Sequence, residues 1–172
     1  MNNTQGDLFS ISPAILPAAA DHHLRHIQVK LEAQMATGAG CPCCGQFVRI
    51  YKRKLNSIMG AFLIWLVRRD RASDESWQDI KAAPDNIRSF GGDYAKLAHW
   101  GLVANKANND PSRRSSGLWR PTSKGVEFAL DQRPVPSHVH LYNNEAIGFS
   151  ERQVSIVEAL GARFDYQELM ST

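Results

Sequence analysis

The 172-residue sequence predicts an α+β fold, mainly helical, with two short antiparallel strand pairs. Three observations carry this expectation. Residues 58–67 are the most apolar run, and Ile58, Met59, Phe62, Leu63, Leu66 and Val67 cover a wide helical face, as a deeply buried helix does. Leu102, Val103 and Ala104, then Leu118 and Trp119, read as strands on either side of a polar loop at residues 105–116. Residues 138–149 read as a further C-terminal hairpin, with Asn143 and Asn144 as its turn.

The remaining elements follow in order. Residues 1–20 are polar, then rich in Pro and Ala, and are expected to form a flexible arm. Asp21 is the expected cap of a helix with Leu24, Ile27, Leu31 and Met35 at helical spacing, stopped by Gly38 and Gly40. Phe47, Ile50 and Tyr51, with basic residues between them, read as extended chain. Asn56 or Ser57 caps the apolar helix. Residues 76–82 read as a short helix with Trp77 and Ile80 inward, broken at Pro84, and residues 86–90 as a turn. Gly91 and Gly92 form a hinge before a third helix, which starts at Asp93, carries Tyr94, Leu97, Ala98 and Trp100, and ends at Gly101 in a left-handed conformation. Thr122 or Ser123 caps a helix reaching Leu130. Residues 151–160 read as a final helix and residues 164–169 as a docking tail. The expected organisation is a flexible arm (1–20), an N-terminal helix with a cysteine turn (21–56), a central domain (57–130) and a C-terminal hairpin and helix (131–172).

The net charge of +3 permits a nucleic-acid partner without demanding one. Three cysteines clustered within four residues do not resemble a secreted disulfide framework. Residues 1–10 lack a basic start followed by an apolar run, and residues 58–67 are too few to span a bilayer, so a cytoplasmic protein without a membrane association is expected. No Gly-rich phosphate loop, Gly-x-Ser-x-Gly elbow or His-Glu-x-x-His is present, and the expectation is a protein that is not an enzyme.

The order helix, short helix, helix, strand, basic loop, strand, helix is what a winged helix-turn-helix with a two-stranded wing needs. Residues 96–103, KLAHWGLV, hand a helix directly to a strand through Trp100-Gly101. Residues 117–125, GLWRPTSKG, resemble the wing-closing strand of many bacterial and phage winged-helix proteins, with an aromatic strand residue, a Thr and then Lys-Gly at a helix start. The resemblance covers residues 57–130 and departs from the pattern in its long wing loop. It implies a double-stranded DNA partner and a regulatory or accessory role, such as transcription regulation in phage or mobile elements, in a chain that also forms homodimers. By position it implies DNA contacts from Arg88, then Tyr94, Lys96 and His99 on the outer side of the third helix, and Lys106, Arg113, Arg114 and Arg120 on the wing. Asn105, Asn108 and Asn109 add neutral donors and acceptors. Between residues 101 and 125, Lys106, Arg113, Arg114, Arg120 and Lys124 face only Asp110. A second basic group comprises Arg49, Lys52, Arg53 and Lys54, with Arg68, Arg69 and Arg71 beyond the apolar helix. The alternative is a protein-interaction module or inhibitor that uses the same fold as a contact surface.

Cys41-x-x-Cys44 followed by Gly45 resembles one zinc knuckle, which is half of a structural zinc site. Completion is open among Cys43, the pair His138 and His140 on alternate strand positions, and the pair His22 and His26 on one helix face. A redox pair would follow a strand and open a helix, whereas residues 47–51 read as extended.

Overall fold

A computed structural model of the chain describes residues 18–72, 77–88, 92–112 and 115–171. It divides into two compact units, Met1–Ile50 and Tyr51–Thr172.

In the first unit, helix α1 (Ala18–Gln34) starts upstream of Asp21, which therefore lies inside the helix and is not its cap. Ala18, Ala19 and Ala20 are the strongest helix formers and extend the helix towards its N-terminus. The helix stops where expected: Gly38 donates from its backbone to Gln34 O at 2.8 Å, at a φ of 94°. Strands β1 (Ala39–Gly40) and β2 (Phe47–Val48) then pair antiparallel, Ala39 opposite Val48 and Gly40 opposite Phe47, with the cysteines in the turn between them.

The second unit opens with β3 (Tyr51–Lys54) and the apolar helix α2 (Ser57–Ala72). Asn56 caps α2, its Oδ1 accepting from Met59 N at 3.0 Å. Nine residues of α2, from Ile58 to Val67, are buried, so neighbours cover it on nearly every side. Residues 76–82, expected as a helix, instead contain strand β4 (Gln78–Asp79) and a 3-10 turn at Ile80–Ala82. Asp79 caps that turn, accepting from Lys81 N at 2.9 Å. Helix α3 (Asp85–Arg88) is followed by a 3-10 helix at Gly92–Trp100, where an α-helix was expected. Tyr94, Leu97 and Trp100 recur every three residues, the period of a 3-10 helix, so one face of it is wholly apolar.

Gly101, at a φ of 69°, hands this helix to β5 (Val103–Asn105), which is joined by the long loop to β6 (Leu118–Pro121). The expected pair of strands is a three-stranded antiparallel sheet in the order β4–β6–β5, because β6 also pairs with β4: Gln78 opposite Trp119 and Asp79 opposite Leu118. Helix α4 (Ser123–Ala129) is capped by Thr122, whose Oγ1 accepts from Gly125 N at 3.0 Å and donates to Gly101 O at 2.7 Å. Gly125 presses against the backbone of Leu102; a Cβ here would lie 2.0 Å from Leu102 O.

Strand β7 (Val135–Pro136) leads to the predicted hairpin, β8 (His138–Tyr142) and β9 (Glu145–Phe149), turned by Asn143 and Asn144 at φ 48° and 62°. The hairpin does not stand alone: β3 pairs along its full length with β8, giving the order β3–β8–β9. The expected helix over residues 151–160 is shorter. β10 (Gln153–Val154) pairs with β7, and α5 (Ile156–Leu160) begins only at the capping box of Ser155 and Glu158. Helix α6 (Tyr166–Ser171) closes the unit: Arg68 donates to Leu169 O at 2.9 Å and Tyr166 donates to Ala129 O at 3.1 Å. No described helix is long and apolar enough to cross a membrane.

Candidate nucleic-acid interface

The three-residue period of the Gly92–Trp100 helix sorts its side chains. Tyr94, expected outward from the sequence, is turned inward, its ring 4.8 Å from that of Phe62 and edge-on to Trp119 at 5.7 Å. Burial pushes its hydroxyl pKa up. The outer stripe is Asp93, Lys96 and His99, three apart. Lys96 forms an ion pair with Asp93. His99 is half-buried, and burial first, then the charge of Lys96, hold its pKa below the usual histidine value. The side chain of Arg88 lies outside the described residues, as do Arg113 and Arg114.

Lys106 is exposed at the start of the loop. Its backbone anchors the loop base, donating to Leu118 O at 2.9 Å and accepting from Ser116 Oγ at 2.7 Å. Two of the three expected neutral donors are engaged: Asn105 Nδ2 donates to Leu118 O at 3.2 Å, at the base of the loop, and Asn108 Nδ2 to Asp110 O at 2.9 Å. Arg120 is exposed, its guanidinium 4.7 Å from the centre of the Trp77 ring. Lys124 donates to Trp100 O at 2.8 Å, closing the C-terminus of the 3-10 helix where a cation is favoured.

The main feature not visible in the sequence is the partnership of β3. Lys52, Arg53 and Lys54 share a cleft of about 200 Å³ with Asp93 and Lys96. The basic strand thereby joins the outer stripe of the 3-10 helix, while Arg68 is committed to α6. On β8, His140 lies opposite Lys52 and His138 opposite Lys54. Directly opposed residues of an antiparallel pair share a face, and like charges there are destabilising. His138 bonds Ser137 Oγ through Nδ1 at 2.9 Å. Its pKa is lowered by burial first, then by Lys54, His140, Lys52 and Arg152. Lys54, Lys52 and Arg152 place positive charge around it, which makes the strand face suited to an anion.

In the first unit, Cys41 N donates to Gln46 O and Gly45 N to Cys41 O, both at 2.8 Å, and Gly45 adopts a φ of 74°. The amides of Cys43 and Cys44 also donate to the Cys41 sulfur, in that order of effect, and hold its thiol below the ordinary cysteine range. Desolvation first, then repulsion from Cys41, raises Cys43. Among the described residues no three His, Cys, Asp or Glu side chains gather as a metal ion requires. The pairs Cys41 and Cys44, and His138 and His140, belong to different units. Comparison with protein-family models, curated proteins and solved structures yields no match.

Proposed function

We propose that residues 57–130 form a winged helix-turn-helix that binds double-stranded DNA, in a regulatory or accessory role. Support for the fold comes from the chain order α2, β4, α3, 3-10 helix, β5, loop, β6 and from the sheet order β4–β6–β5. In this reading the Asp93–Lys96–His99 stripe meets a groove, and the loop after β5 lies along the backbone. The observation that supports DNA binding most is the cleft where Lys52, Arg53 and Lys54 meet Lys96, because four cations against one acid, Asp93, suit the phosphate oxygens of a duplex backbone.

The test is fluorescence anisotropy with a random DNA duplex over a salt series. Wild-type binding weakens as salt rises. Lys52→Gln with Lys54→Gln lowers the slope of log affinity against log salt by about 2, since each phosphate contact contributes about 0.9. Equal slopes for the two proteins remove β3 from the interface, and no binding at low salt removes the DNA reading.

A second reading, a protein-interaction module, is favoured by the edge strand β9, which leaves Ile147 50% and Phe149 44% exposed. An extended segment of a protein partner would add to that edge. Absence of DNA binding together with capture of a partner that is lost on Ile147→Lys is its expected signature.

A further inference from the structure

The cysteine turn has the features of a metal knuckle and only half of the ligands. Gly45 closes it in a left-handed conformation, its amide donating to Cys41 O at 2.8 Å while Cys41 N donates to Gln46 O at 2.8 Å, the tight turn that a two-cysteine knuckle requires. A structural zinc takes four ligands. The chain has three cysteines and six histidines, all of them within the described residues. His22 and His26 do not gather with the cysteines into a group of three. His138 and His140 sit opposite lysines, whose charge opposes a divalent cation.

A second observation comes from the unit that bears the turn. None of residues 22–50 is buried, and Val29 and Phe47 are 65% and 60% exposed. A small unit whose described residues form no core gains stability from a metal, a disulfide or association. All three cysteines are free.

We propose that Cys41 and Cys44 are half of a tetrahedral zinc site of four sulfurs, completed by the same two residues of a second copy of this chain. Four thiols each release a proton, four Zn–S bonds form around one Zn²⁺, and no redox partner is needed. The metal ties two chains through their β1–β2 turns, and Cys43, inside the turn, stays outside the coordination sphere. The proposal does not depend on DNA binding.

The test uses the full chain, purified without chelator and kept under a phosphine reductant so that disulfides play no part. Light scattering behind size exclusion, combined with metal analysis, is expected to show dimers holding one zinc for every two chains. Chelation gives monomers, and added zinc restores the dimer. Cobalt in place of zinc gives the absorption of an all-sulfur tetrahedral site. Cys41→Ser with Cys44→Ser is monomeric and metal-free, whereas Cys43→Ser, and His138→Gln with His140→Gln, keep both metal and dimer. A monomer with one zinc per chain, a dimer indifferent to chelation, a metal-free wild type, or a cobalt spectrum with nitrogen ligands each overturns the proposal. Should the cysteine variant misfold, chelation and cobalt loading of the wild type decide alone.

Discussion

Replacing Gly125 by alanine tests whether the junction between α4 and β5 is as tight as its geometry implies. A Cβ at this position would sit 2.0 Å from Leu102 O and 2.9 Å from Leu102 C, both backbone atoms that no side-chain rotation can clear. Relief requires α4 to withdraw by about 1 Å, because non-bonded carbon and oxygen do not approach much closer than about 3 Å. Withdrawal strains the 3.1 Å bond from Thr122 N to Leu102 O, worth about 1 kcal/mol. Overpacking a filled site costs a further 1–3 kcal/mol or so. Alanine returns about 1 kcal/mol in helix propensity. The net expectation is a loss of about 1–3 kcal/mol. Gly60→Ala provides the contrast. In α2 its Cβ meets only side chains, Leu160 Cδ2 at 3.2 Å and Ile156 Cδ1 at 3.3 Å, which move by tenths of an ångström. There the propensity gain offsets the crowding, and the change stays within about 1 kcal/mol of zero. Urea denaturation followed by Trp fluorescence measures both. If Gly125→Ala is as stable as Gly60→Ala, the close approach of α4 to Leu102 is wrong.

Two further outcomes follow from buried polar groups. Trp100 Nε1 donates to Pro136 O at 2.7 Å, whereas Trp119 Nε1 is buried among the described residues without a partner. Trp100→Phe is therefore expected to cost at least about 1 kcal/mol more than Trp119→Phe, since only the first gives up a satisfied hydrogen bond, and denaturation midpoints compare them directly. His138 and His99 are both held below the ordinary histidine value of about 6.5, chiefly by burial. The unfolded chain then binds more protons than the folded one, so their contribution is complete above about pH 6.5 and declines as pH falls towards the folded values. A urea midpoint lower at pH 5.5 than at pH 7.5, with the drop reduced by His138→Gln, is the expected result; a midpoint that rises on acidification contradicts it.

The parts of the fold legible in the sequence are those set by local chemistry. The apolar face of α2, the left-handed Gly101, the Thr122 cap and the Asn143-Asn144 turn each depend on residues within a few positions. The parts missed depend on distant partners. β4 is two polar residues, Gln78 and Asp79, without alternation to betray a strand, and β6 alone makes it one. β3 is YKRK, exposed throughout, and becomes a strand only because β8 lies beside it. The inward turn of Tyr94 did have a signal, the spacing of Tyr94, Leu97 and Trp100, which fits a three-residue period better than 3.6. Of the candidate site, Lys96 and the basic strand were visible as charges, but their shared cleft is a product of that same long-range pairing.

The burial of α2 has a consequence for how the chain is made. Arg68 waits for Leu169, 101 residues further along, before its hydrogen bond can form. Ile156 and Leu160, which lie against Gly60, arrive scarcely sooner. At about 5–20 residues per second, a ribosome needs roughly 5–20 s to supply them. Throughout that interval the most apolar segment of the nascent chain lacks its lid, exposed to whatever hydrophobic surface or chaperone meets it first.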